Sequence, residues 1–100
     1  MVIAEISVVP IGTEAPSISE YVARAIRTIK QQKKVNYQLT AMGTLLEGEL
    51  DDILTVAAKV HNSIFDEKIK RVVTNIKIDD RRDKKASMDQ KVQSVAKKLT

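Results

Sequence analysis

One hundred residues, 43% of them hydrophobic and with only three glycines and two prolines, suffice for one compact domain with a modest core, and exclude a disordered tail. The absence of cysteine excludes disulfides, thiolate nucleophiles and cysteine-bound metals; Tyr21, Tyr37 and Phe65 are too few aromatics for a platform that stacks single-stranded nucleic acid. The formal charge of +4 is uneven, with a net +5 in residues 81–100 and −1 in residues 1–80, so the body is nearly neutral and no nucleic-acid partner is expected. No basic leader and no apolar run of spanning length is present, which leads to the expectation of a cytoplasmic protein without a membrane partner.

Residues 2–9 alternate with the period of a strand, Ala4, Ile6 and Val8 on one face and Ile3, Glu5, Ser7 and Val9 on the other, and Pro10 is expected to end it. After a loop over 11–16, Ser17 and Glu20 have capping-box spacing. They open a helix with the stripe Ile18, Tyr21, Val22, Ala25, Ile26 and Ile29, while Arg24, Arg27, Lys30, Lys33 and Lys34 take the wet face or the last turn. Residues 37–42 and 44–49 read as the two strands of a hairpin centred on Gly43, where a positive φ carries no steric cost. Asp51 or Asp52 is placed to cap a second helix, with Ile53, Leu54, Ala57, Val60, His61 and Ile64 inward and Phe65 at its end. Residues 71–79 alternate again, Val72, Thr74, Ile76 and Ile78 to one side and Arg71, Val73, Asn75 and Lys77 to the other. Ser87 and Gln90 cap a last helix with the stripe Met88, Val92, Val95, Ala96 and Leu99.

Strand, helix, strand, strand, helix, strand is the split βαβ order: an α+β domain whose four-stranded antiparallel sheet carries two helices on one face. Residues 1–80 are expected to form it, and residues 81–100 a basic linker and a C-terminal helix packing on the chain's own body or on a neighbouring subunit. The uncovered face would show Ile3, Glu5, Ser7, Val9, Gln38, Thr40, Met42, Arg71, Val73, Asn75 and Lys77, with Glu47 joining by parity. This mixture is too apolar for a bare surface and too polar for a core, which points to a covering subunit with a polar pocket between. Glu47, directly after Leu45 and Leu46, requires a partner, whether ligand, subunit or water, because a half-buried charge is costly alone.

His61 stands without a second histidine or a cysteine and reads as a core or boundary residue; Asp51-Asp52 and Asp79-Asp80 lack the spaced oxygens of a calcium loop, so no metal is expected. The 81–85 run of Arg81, Arg82, Asp83, Lys84 and Lys85 reads as a solvated linker, with phosphate binding as the alternative. No nucleophile with a base occurs at recognisable spacing, so the chain is not expected to be an enzyme, although Glu5 and Glu47 on one face leave an acid/base pair open. A structural or regulatory oligomer sensing another small molecule is the alternative function.

Four fragments in register, 9–13, 17–23, 42–48 and 76–83 (Val9-Pro10-Ile11-Gly12-Thr13, Ser17 to Ala23, Met42 to Gly48, Ile76 to Asp83), make nearly the whole chain similar to the small thiamine-binding family. The resemblance implies a ferredoxin-like fold, dimers or tetramers, and non-catalytic binding of thiamine or its hydroxymethylpyrimidine half, with no required cofactor. Under it, Glu47 would accept from the pyrimidine amine or offset the thiazolium cation, Asn75 and Gln38 would complement donor and acceptor edges, Ser7, Thr40 and Thr44 would offer hydroxyls, Met42 a polarizable surface, and Gly43 close backbone approach.

Overall fold

The computed structural model describes residues 1–14, 18–85 and 87–100. Seven elements follow in order: β1 (Val2–Ile11), α1 (Ser19–Lys30), β2 (Asn36–Leu39), β3 (Thr44–Gly48), α2 (Leu50–Ser63), β4 (Arg71–Asp79) and α3 (Met88–Lys98). The four strands form one antiparallel sheet in the order β2-β3-β1-β4. This is the expected ferredoxin-like βαββαβ fold with a C-terminal helix added.

Register fixes the two faces. Ala4 lies opposite Leu46 and Ile78, and Ile6 opposite Thr44 and Ile76, so these residues share the face on which Val2, Ala4, Ile6 and Leu46 are buried with Ala25 and Ile29 of α1 and Ile53, Val56 and Val60 of α2. On the open face, Ile3 is flanked by Glu47 and Asp79, Glu5 by Leu45 and Lys77, and Ser7 faces Asn75. The alternation expected for the first and last strands is therefore the observed one.

β1 runs on to Ile11, so Pro10 does not end it; the proline is buried and paired with Val72. A proline survives in an antiparallel pair where its nitrogen faces away from the partner strand. The hairpin is also redrawn. β2 ends at Leu39, and Thr40 to Gly43 form a turn in which the Thr40 amide and hydroxyl both donate to the Gly43 carbonyl at 2.8 Å, while the Thr40 hydroxyl accepts from the Gly43 amide at 3.1 Å. Gly43 has no positive φ; among the described residues that belongs to Gly12, at 92°. Gly43 is required for closeness instead, since a Cβ there would lie 3.1 Å from the Ile6 carbonyl oxygen and 3.3 Å from Glu5 Cγ.

The helices differ from expectation at their ends. Ser17 lies outside the described residues, and the residue preceding α1 is Ile18, with no side-chain cap bond. α2 is preceded by Glu49, also without a side-chain cap; Asp51 and Asp52 sit inside the first turn, where their charge suits the helix dipole. Leu54 is exposed and Val56 takes the buried place. Arg24 leaves the wet face: half-buried, it stacks 4.8 Å from the Tyr21 ring centroid and donates to the Ser63 and Ile64 carbonyls and to Asp66 Oδ2 at 3.2 Å. It thereby satisfies carbonyls that the end of α2 leaves orphaned. Asp66 in turn accepts from the Lys68 and Ile69 amides at 2.8 and 2.7 Å, the turn that drives Ile69 into the interior ahead of β4. Those amide bonds, the Ile69 bond foremost, together with Arg24, hold its carboxyl below the usual range.

α3 has its expected cap, the Ser87 hydroxyl accepting from the Gln90 amide at 3.1 Å. Its first turn is fastened to the sheet by Glu47, whose Oε2 accepts from the Met88 amide at 2.7 Å, and by an ion pair of 2.8 Å between Lys91 and Asp79. None of its residues is buried.

Two outcomes are expected. In Glu47→Ala, amide exchange in the first turn of α3 accelerates ten-fold or more, equivalent to about 1.4 kcal/mol, while the core amides of β1 and α2 keep their protection. A carboxylate whose folded pKa is depressed stabilises above its unfolded pKa and loses that contribution as pH falls through the folded value. Stability measured by urea denaturation should therefore drop on acidification through and below the ordinary carboxylate range, and Asp66→Asn, which keeps an acceptor for the turn but removes the titration, should make that drop shallower.

Candidate functional site

The lengths of the strands create the principal concavity. β1 pairs with β4 from Ile3 to Ile11, but its pairing with β3 runs only from Val2 to Ile6. Since Pro10 cannot donate to β4, the alternation of an antiparallel ladder turns the backbone N–H and C=O of Val8 toward the side on which β3 has already ended. The Ile6 carbonyl fits this parity, as it points at Gly43 next to β3. Beside this bare stretch, α1 packs chiefly against α2 rather than down on the sheet. A cleft of about 660 Å³ remains between α1, the upper half of β1 and the 40–43 turn.

Its walls are mainly apolar: Ile6 and Val8 from the sheet, Ile18 just before α1 with Val22 and Ile26 on it, and Leu39 and Met42 from the hairpin. Its volume lies within the range of small-molecule pockets, roughly 300–1,000 Å³. Polar groups reach it at few points. The chief one is Thr44, a residue only 6% exposed that lines the cleft and whose hydroxyl has no hydrogen-bond partner among the described residues. Ser7 borders the cleft where β3 ends, Gly43 brings its backbone to the rim, and Met42 is fully presented on the turn. The Thr40 hydroxyl also borders the cleft, but it is already used to close the turn.

The eight residues singled out in the sequence are thus divided. Thr40, Met42, Gly43 and Thr44 converge on the cleft, and Ser7 borders it from β1 although its register places its side chain on the open face opposite Asn75. Gln38, Glu47 and Asn75 lie outside it, by register on the open face. Glu47 and Asn75 flank β1 on opposite sides, at the levels of Ile3 and Ser7, about 13 Å apart along the strand. Glu47, 9% exposed, has found its partners within the chain: the Met88 amide on one oxygen and Asn36 Nδ2 at 3.4 Å on the other. The α1 residues of the cleft were legible in the sequence only as core positions, because a helix stripe does not reveal where it stands off from the sheet.

His61 and the two arginines that follow β4 are satisfied locally. His61 Nδ1 is 2.7 Å from the Thr74 hydroxyl and its ring meets Phe65 edge-on at 5.3 Å. Arg81 makes a bidentate pair with Asp83 at 2.6 and 2.9 Å, and Arg82 pairs with Asp80 at 2.9 Å; these bonds raise the arginine pKa values and lower those of the two aspartates. Among the described residues no group of three or more His, Cys, Asp or Glu is placed to hold a metal ion, and no helix is long and apolar enough to cross a membrane.

Comparison with known proteins agrees with this architecture. The chain is 47% identical to the UPF0045 protein YqgV of Bacillus subtilis, over 99% of this chain and 98% of that protein. It is 41% identical to a UPF0045 protein of Methanothermobacter thermautotrophicus, over 99% and 100%. Among solved structures, hypothetical protein MJ1052 of Methanocaldococcus jannaschii superposes with a TM-score of 0.87 at 37% identity, covering 95% of each chain. A Thermotoga maritima protein described as a candidate thiamine biosynthesis/salvage protein superposes at 0.77 with 26% identity, over 94% of this chain and 97% of that one. The profile of one family, thiamine-binding protein, matches residues 4–96, and on that span and these identities the chain belongs to the thiamine-binding protein family.

Proposed function

We propose that the protein binds thiamine or its hydroxymethylpyrimidine half, without transforming it, in the cleft between α1 and the 40–43 turn. The observation that carries this reading is the Thr44 hydroxyl, on a residue only 6% exposed, which is accessible and without a hydrogen-bond partner among the described residues where Thr44 lines a mainly apolar cleft of ligand size. A polar group kept in such a position is stabilised when a ligand completes its hydrogen bonding. The strand edge adds the matching geometry. An aminopyrimidine presents a ring-nitrogen acceptor next to an exocyclic amine donor, the complement of the adjacent N–H and C=O of Val8, and Ile6, Val22 and Ile26 offer apolar surface to the ring. Membership of the thiamine-binding family supplies the ligand class.

The same reading has copies of the chain associating through the open sheet face. Val9, Ile11 and Val73 are exposed there, and Val92, Val95 and Leu99 of α3 stand in solvent along one stripe. Apolar surface so arranged is stabilised by burial at roughly 25 cal/mol per Å². In this assembly Glu47 serves the interface by orienting α3, and the ligand stays on the other side of the sheet.

Isothermal titration with thiamine and with hydroxymethylpyrimidine tests the site. Saturable binding is expected, weakened ten-fold or more by Thr44→Val, about 1.4 kcal/mol, and changed less than two-fold by Glu47→Ala. A ten-fold loss in Glu47→Ala with none in Thr44→Val would move the ligand to the open face, and no heat with either compound would leave an oligomeric module sensing another small molecule. For the assembly, sedimentation equilibrium of Val73→Lys should give a smaller species than the wild type while affinity at the cleft is retained.

A further inference from the structure

We infer that the cleft takes the phosphorylated form of its ligand, a pyrimidine or thiamine phosphate monoester, in preference to the free compound; this inference rests on the cleft reading above. The argument is the sign of the charges that border it. Of the lining residues only Arg27 and Lys30 are charged, both are cationic, and no carboxylate accompanies them. The nearest strand carboxylate, Glu5, does not line the cleft: by register it belongs to the other face of the sheet, with its side chain beside Gly43 at the rim, 3.3 Å from Cγ to the place of a Cβ there. Among the groups that line the cleft, a free thiazolium cation would therefore meet two like charges and no carboxylate, whereas a phosphate would meet two opposite ones.

Neither cation is engaged by a carboxylate of the described chain. Arg24, Arg81, Arg82 and Lys91 each have a carboxylate partner, while Arg27 and Lys30 have no ion pair among the described residues. They lie three residues apart on α1, which places them on one face with about 5–6 Å between their Cβ atoms, a spacing at which both reach one phosphate. Val22 and Ile26 precede them on the same wall of the cleft. Val22 to Arg27 spans about 7.5 Å along the helix axis. A ring held at the apolar end thus points a phosphoester substituent toward the cationic end. Arg27 adds a planar fork of donors that suits phosphate oxygens better than a point charge does.

The test is titration of the wild type and of Arg27→Gln/Lys30→Gln with hydroxymethylpyrimidine, hydroxymethylpyrimidine phosphate, thiamine and thiamine phosphate, at low and high salt. Each phosphate ester is expected to bind ten-fold or more tightly than its parent alcohol. That advantage should shrink as salt rises and vanish in the double variant, whose affinity for the unphosphorylated compounds stays within two-fold of wild type. Equal affinity for ester and alcohol, or an advantage that survives in the double variant, overturns the inference; if Thr44→Val still weakens the alcohols, the cleft itself stands. Absence of binding by all four compounds overturns both.

Discussion

β1 is paired along nearly its whole length with β4 but over only its first half with β3, and most of what is distinctive in this molecule depends on that mismatch. A sheet of equal strands would close against α1 as a continuous surface. Here the 40–43 turn, closed by both polar groups of Thr40, stops the hairpin at the level of Ile6. The rest of β1 projects beyond it with one edge bare. Pro10 makes that edge asymmetric, because it removes a donor on the side where no strand stands to receive one. The cleft is the space that a longer hairpin would have filled.

The helical layer is built to leave this space open. α1 is anchored away from the cleft, through Ala25 and Ile29 in the common core and through Arg24 on the final carbonyls of α2. Arg24 joins three things at once, the Tyr21 ring, the end of α2 and the Asp66 turn that leads into β4, so α1 is held at one flank while its Val22 and Ile26 flank stays half-buried. On the other face of the sheet, Glu47 plays a comparable part for α3. A carboxylate at a helix N-terminus is favoured by both the free amide and the helix dipole. The two faces are thus organised by opposite charges: a guanidinium on a C-terminal helix end and a carboxylate on an N-terminal one.

Much of this was legible in the chain itself. The alternation of residues 2–9 and 71–79 assigned the faces correctly, since period two is set by backbone geometry and both strands have one apolar side. Ser87 announced α3 because its cap is local. Arg24 and Glu47 were harder. A side chain on a nominally wet helix face, or a carboxylate in a strand, declares that it needs a partner, but that partner lies about forty residues away in sequence, at Ile64 for one and Met88 for the other. The cleft was legible only in its hairpin half. Thr44 and its neighbours stood out as polar or small residues in an apolar run, whereas Ile18, Val22 and Ile26 were indistinguishable from core by spacing, and Pro10 looked like a terminator because the strand's second neighbour could not be seen to be missing.

β4 is one of the sheet's two outer strands, nine residues long, and its span holds no glycine and no proline. Its outward amides and carbonyls form a template to which any extended segment of β-branched residues can add, the geometry from which amyloid-like stacks grow. What opposes this is the set of charges Arg71, Lys77 and Asp79 placed among Val72, Val73, Ile76 and Ile78, which a strand added at the edge would have to desolvate or pair. Arg71 and Lys77, exposed and without an ion pair among the described residues, thus guard the edge against edge-to-edge pairing, while Asp79 is already held by Lys91 of α3.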